Sequence, residues 1–406
     1  MANNTLLTTA LIAKSALAEF SVANPWTATA SRMYEKDFTQ SGYRVGDNIQ
    51  LRRRNQYIVG DGSVATPQSI IQTVENLTVN HQYHVLIDYS IKDLTLSIDD
   101  FAQEFVQPAI QNIVAQMEVD IGIAASTSLY HFTGSSSASI NSFNAVDTAG
   151  RKMLEQAMPI GRDTYMALSL TDATALKAAL LANFTPMYNE DVVKYSSLGH
   201  LSYFDMFQSQ QVRKHTAGAG PRLYSGDTLI VNGAVSSGSS IVLSGATISI
   251  TDYFVAGDVI SIAGVQSVNP VSHAATGQNA QFVVTANANS SGAGAVTISV
   301  SPSIISDSSN PLQNVNNAVP NASAVTMVGS HNVNTAYIAR GLDIACPPLE
   351  ILQVQKHSRA TDPQTGISLT ITEQGDITNY QNQMRLDVLC GFLWHPQYAV
   401  RVCSTL

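Results

Sequence analysis

Cysteine, tryptophan and charge are all scarce in this chain of 406 residues. Each scarcity removes a class of protein. The three cysteines, Cys346, Cys390 and Cys403, are odd in number and lack any C-x-x-C spacing, which argues against a disulfide framework and a zinc cage and leaves buried thiols as the expectation. Charged residues make up 13% of the chain against 45% hydrophobic, a balance that folds around a sizeable core and is far from that of a disordered chain. The charge that exists is acidic: 21 Lys and Arg face 30 Asp and Glu, a net charge of −9, so there is no broad attraction to a phosphate backbone. No apolar run approaches the roughly 20 residues that cross a bilayer, and no membrane is expected. The opening MANNTLLTTALIAKSALAEF has no basic start and Lys14 interrupts its apolar stretch, so it is read as no secretory signal, with synthesis in the cytoplasm. On that reading the sequons at Asn76 and Asn321 are chance matches.

Catalytic motifs are missing as well. The chain contains no G-x-S-x-G, no H-E-x-x-H, no G-K-[ST] and no complete G-x-G-x-x-G; the GAG triplets at 218–220 and 292–294 read as isolated turn signals. The nine histidines show no ligand spacing, and Asp99-Asp100 is explained by helix capping. No enzyme, cofactor or metal site is expected.

What the chain does have is a sharp internal boundary. Residues 223–339 contain no Lys, Arg or Glu and only four Asp. Within them, the runs 241–243, 248–250, 259–262, 282–284 and 296–300 are rich in β-branched residues and are separated by Gly, Ser and Asn turns. This pattern predicts an all-β domain over residues 223–336, inserted into another fold.

The flanks predict long elements. Residues 6–20 carry an apolar helical stripe, and residues 77–89 alternate as one long strand in which His81 and His84 point to opposite sides. Over residues 97–129, Phe101, Phe105, Ala109, Ile113, Met117, Ile121 and Ala124 recur at helical steps, with Ser97 and Asp100 placed as a capping box and Pro108 as a bend. Thirty-odd helical residues span roughly 50 Å, which suits a strut. Residues 367–372, 384–394 and 398–402 alternate again, so the outer fold is α+β.

The remaining feature is LRRRNQYIVGDG at residues 51–62. Successive side chains of a strand point to opposite faces, so Arg52, Arg53 and Arg54 place cations on both sides and neither face can lie on a core. Gly60-Asp61-Gly62 supplies a turn and the strand from Leu77 returns, which makes residues 45–89 an extended hairpin arm. Its expected use is to reach a neighbouring subunit through guanidinium–carboxylate pairs. A solvated charge run and contact with nucleic acid are the competing readings.

Together these parts resemble the major capsid proteins of tailed bacteriophages, in the coat-protein subgroup of podoviruses that carries an inserted β domain. The likeness is carried by FVQPAIQNIVAQMEVDIG (105–122), similar to that family's spine helix, and by LGHLSYFDMFQSQQVRKHTAG (198–218) before the insertion. It continues in AGDVISIAGVQSVNPVSHAATGQNAQFVVTA (256–286) and in the closing strands TGISLTITEQGDITNYQNQMRLDVLCGFLWHPQYAVRV (365–402). The first 76 residues match in layout more than in letters. The resemblance implies an α+β capsid fold divided into an N-terminal arm (1–35), an extended hairpin loop with its adjoining strand (36–92), a spine helix with peripheral and axial parts (93–222), the inserted β domain (223–336) and the second axial and peripheral part (337–406). It also implies a homo-oligomer of pentamers and hexamers, forming an icosahedral shell around double-stranded DNA without sequence-specific binding. Scaffolding and portal proteins are the implied partners, and the implied location is the virion, assembled in the host cytoplasm. No catalytic residues are carried over. A phage tail or surface adhesin with a carbohydrate-binding β module is the competing class, and the long helix and single internal β module speak against it.

Overall fold

A computed structural model describes residues 25–32, 48–63, 67–90, 106–161, 163–183, 198–350, 356–361, 367–376, 378 and 381–406. The chain falls into two compact units, one of Met1–Leu51, Asn76–Ile121 and Leu342–Leu393, the other of Arg52–Glu75, Gly122–Gly341 and Trp394–Leu406.

In the first unit, strand Gln381–Trp394 lies at the centre of a five-stranded sheet. It pairs antiparallel with Ser368–Asp376 and with His81–Ser90, and the sheet is completed by Leu342–Ala345 and Lys356–Thr361. The expected alternation holds through Met384, Leu386, Val388 and Cys390, which are buried, while Phe392 is half-buried and Asp387 on the other face is buried as well. The expected single strand over 77–89 is instead two, Val74–Thr78 and His81–Ser90. Gly391 lies against that break, where a Cβ would stand 2.3 Å from the Thr78 carbonyl oxygen, a gap only glycine fits. His81 stacks on Phe392 at 4.8 Å while His84 is exposed, so the two imidazoles do diverge.

The long helix is described over Gln107–Ser128, 22 residues, or roughly 33 Å at about 1.5 Å per residue. Ala109, Ile113, Met117 and Ile121 are buried as the stripe predicts, and Ile110 and Val114 widen it. Pro108 stands in the first turn of the described helix, and the bend expected at it involves residues before 106, which lie outside the described residues. Phe101, Phe105, the Ser97–Asp100 box and the helix over 6–20 lie outside the described residues.

The second unit holds a seven-stranded mixed sheet. Its central strand, His331–Ile338, is buried at every position and pairs with Ala399–Ser404 and Thr164–Leu168. Helices Phe143–Glu155 and Leu170–Asn183 share its core, with Met153, Met166, Leu176 and Val400 packed together.

Residues 230–327 form the second layer of this unit. Six antiparallel strands run in the order Val325–Met327, Val259–Val268, Ala275–Val284, Ala295–Ile305, Ser237–Ser244, Ile230–Val231. The two end strands meet: Ile230 bridges Ala324, the Val325 N–H donates to the Leu229 carbonyl at 2.9 Å and the Val231 N–H to that of Ser323 at 2.9 Å. The sheet is therefore a closed barrel, which leaves no free edge. Ile241, Leu243, Ile260, Ile262, Phe282 and Ile298 fill it. Of the five apolar runs, 248–250 is no strand; Ser249 has φ 56°, a left-handed turn that breaks extension, and the Ser290 Oγ accepts the Ile250 N–H at 2.6 Å. The GAG at 218–220 has a packing role. Ala219 and Gly220 donate to the carbonyls of Asp252 and Tyr253 at 2.9 Å, and a Cβ on Gly218 would fall 2.4 Å from the Tyr253 carbonyl oxygen.

The barrel shares its compact unit with the seven-stranded sheet. Gln281 holds both the N–H (3.0 Å) and the carbonyl (2.8 Å) of Phe132, and Asn269 donates to the Glu155 carbonyl at 2.8 Å.

Candidate subunit interface

The arginine run ends the strand Asn48–Arg52. Ile49 and Leu51 turn inward while Asn48, Gln50 and Arg52 are exposed. Beyond Arg52 the chain leaves regular pairing yet stays tied to its return leg: the Arg53 N–H donates to the Thr73 carbonyl at 2.9 Å. Further out, the Gln68 side chain accepts the Ile58 N–H at 3.0 Å and donates to the Ile58 carbonyl. The result is a two-legged ribbon, held by one amide side chain where a sheet ladder would otherwise run. Its apolar side chains are not buried in this unit: Val59 is 90% and Ile70 66% exposed.

The three arginines divide by direction. Arg52 and Arg54 are exposed, whereas Arg53 turns to Glu75 on the return leg and forms an ion pair with it. The other oxygen of Glu75 pairs with His395 Nδ1. Burial works to raise the Glu75 pKa, but the hydrogen bond from His395 and the charge of Arg53 outweigh it and hold the carboxyl below its usual range. Glu75 and His395 lie 320 residues apart, so no local spacing links them. Only the hairpin register, which sets the Arg53 leg against the leg ending in Glu75, offers a sequence signal. Of the helix positions, Ile113, Met117 and Ile121 are core, none more than 3% exposed.

Groups that elsewhere carry chemistry are here bound into structure. His215 Nε2 meets Asp258 Oδ1 at 2.8 Å with both side chains buried, a pairing that resembles a catalytic dyad. The carboxylate, however, also accepts the N–H groups of Gly218 (3.1 Å) and Val255 (2.8 Å), which fastens the chain where it enters the barrel. Burial lowers the His215 pKa. Lys152 is buried and its pKa falls to about 8 through desolvation. Arg401, fully buried, donates from Nη1 to the carbonyls of Gly257 (2.8 Å) and Ser126 (3.1 Å), the latter in the last turn of helix Gln107–Ser128, where a cation suits the helix dipole. Among the described residues no group of three or more His, Cys, Asp or Glu is placed to hold a metal ion, and no helix is long and apolar enough to cross a membrane. The three cysteines are free and buried.

Residues 231–400, from the barrel through the closing strands, match the family described as "P22 coat protein - gene protein 5". No curated protein matches. Among solved structures, Mycobacterium phage Che8 overlaps 93% of this chain and 90% of its own at 8% identity and a TM-score of 0.48. The capsid of Ralstonia phage GP4 overlaps 89% and 84% at 6% identity and a TM-score of 0.45, and the virus-like particle from Pyrococcus furiosus 96% and 97% at 8% and 0.41. Superpositions this loose carry no weight of their own; the family match, which runs continuously from the barrel into the C-terminal strands, does.

Over this stretch, 170 of the chain's 406 residues, the likeness is to a coat protein. The family the chain matches is that of the P22 coat protein, through residues 231–400.

Proposed function

We propose that the ribbon over residues 52–75 is the arm by which each copy grips its neighbour in an icosahedral shell of pentamers and hexamers around double-stranded DNA. The observation that carries this is the division of the arginines: Arg53 is matched internally by Glu75, while Arg52, Arg54, Val59 and Ile70 face outward. A monomer gains nothing from exposing them, and an interface buries them. The net charge of −9 supports a lining that does not hold phosphates, so packaged DNA can move along it without sequence-specific binding. Scaffolding and portal proteins are the partners such a shell requires, with assembly in the host cytoplasm before the protein resides in the virion. The inserted β domain is read over 223–336, with the barrel at 230–327 as its body. Arg52→Glu tests the grip. The thermal melt of unassembled subunits should stay unchanged and the yield of shells in sedimentation should fall at least fivefold, since the neighbour's carboxylates would meet a like charge. Normal shell yield together with lost DNA retardation at low salt would instead return these arginines to nucleic acid.

A further inference from the structure

Beside the root of the ribbon, the second unit is cut by a cleft of about 410 Å³. That lies within the range of roughly 300–1,000 Å³ typical of ligand sites. One wall is the ribbon, with Arg54, Asn55, Gln56 and Tyr57; the other is the barrel, with Phe282, Pro302, Ile305 and Leu312. No Asp or Glu lines it, although the chain has 30 acidic residues against 21 basic ones. The barrel wall comes from the stretch without Lys or Arg, so the full positive charge in the cleft is supplied by the arginine run. Arg53 is already met by Glu75; Arg54 is exposed and meets no carboxylate among the described residues.

The amides divide in the same way. Gln281 is spent on the backbone of Phe132, Gln313 on a backbone carbonyl of its own wall, and Gln156 on Ser267. Asn55, Gln56 and Gln397 line the cleft and make no such bond. An apolar wall, free amides and one unmatched guanidinium call for a ligand with an apolar side chain, main-chain N–H and C=O groups, and a carboxylate. An extended acidic peptide has all three.

We propose that this cleft is the docking site for an extended acidic segment of a second copy of this chain. A second copy is the occupant because the chain is acidic overall and a shell packs each copy against others, so a neighbouring copy offers carboxylates complementary to Arg54 in excess over its cations. The inference rests on the shell reading and adds the place and chemistry of one contact.

The test uses full-length protein with p-benzoylphenylalanine in place of Ser303 on the barrel rim, assembled from equal amounts of ¹⁵N-labelled and unlabelled subunits. After irradiation the cross-linked peptides are mapped by mass spectrometry. The expected result is isotopically mixed pairs whose partner peptide contains Asp or Glu, with yield reduced at least fivefold by Arg54→Glu and retained in Arg54→Lys. A second probe at Gln397 should give the same mixed pairs even where the first disturbs folding. Isotopically uniform pairs would mean that the subunit's own ribbon fills the cleft, and would overturn the proposal. So would partner peptides without a carboxylate, or a yield indifferent to Arg54→Glu. Shells that form normally without mixed pairs would sink the cleft while leaving the shell function standing.

Discussion

Asp172 is fully buried, and four donors converge on it. Oδ1 accepts the Ile140 N–H at 3.1 Å; Oδ2 accepts Ser169 Oγ (2.6 Å), Asn334 Nδ2 (2.9 Å) and Ser404 Oγ (2.5 Å). Ser169 in turn takes the Asp172 N–H at 3.2 Å, so one carboxylate joins the start of helix Leu170–Asn183 to two neighbouring strands. Asp172→Asn keeps the shape and removes the charge. In its better orientation the new amide oxygen faces the three side-chain donors and the new NH₂ faces the Ile140 N–H. Three charge-assisted bonds become neutral ones, at about 1 kcal/mol each, and one buried backbone N–H loses its acceptor, at roughly 1–3 kcal/mol. The sum is about 4–6 kcal/mol. At about 2–4 °C per kcal/mol for a unit of this size, the melt should fall by roughly 8–24 °C. Urea unfolding of unassembled subunits measures it directly through the midpoint at constant slope. A loss under about 1 kcal/mol would show that the network does not carry the helix start, and the reasoning would fail.

Three further outcomes follow from other parts of the molecule. Ile113→Asp places an unpaired carboxylate at a position 3% exposed and should cost on the order of 4 kcal/mol, read as insoluble or unfolded subunits; normal yield would put that stripe in solvent. The Glu75 carboxyl is held below its usual value when folded, so its contribution at the ribbon root is complete above the unfolded carboxylate value of about 4.3 and is lost as pH falls through the lowered folded one. Protection against hydrogen exchange over residues 53–75, taken relative to the intrinsic exchange rate at each pH, should therefore be flat from neutral pH down to about 5 and fall below about 4, and Glu75→Gln should abolish that loss. Residues 223–336 expressed alone should give dispersed amide spectra and a cooperative melt, because the barrel closes its own edges; a random-coil spectrum would show that it needs the seven-stranded sheet.

Periodicity made the buried face of the long helix and the strands at 384–394 legible in the sequence, because each packs one continuous face over many residues. The barrel was legible from composition: β-branched runs and turns in a stretch without Lys, Arg or Glu. Its closure was not, since that depends on pairings such as Ile230 with Ala324 and Val235 with Val319, some 84 to 94 residues apart in sequence. The division of the arginines was hidden for a related reason. Alternation shows that Arg53 points away from Arg52 and Arg54, but not that Glu75 and His395 wait on that side. The turn at Ser249 was missed because Ile248-Ser249-Ile250 has strand composition, and its geometry is set by Asp227 and Ser290, remote in sequence.

On the proposed shell reading, an acidic subunit faces two demands on its cations: copies must attract one another, and a wall around nucleic acid must not attract phosphate. The structure meets both through matching. Arg53 is answered by Glu75 and Arg401 by two carbonyls inside the fold, and residues 223–339, which include the whole barrel, do without Lys or Arg. Arg52 and Arg54 stay open on the ribbon. A few unmatched charges give too little counterion release to hold DNA at physiological salt, while one guanidinium beside an apolar wall can fix the register of a neighbour's carboxylate. On this account, raising the salt should slow association of subunits through Arg52 and Arg54 far more than it loosens a finished shell, whose contacts are by then partly shielded from solvent.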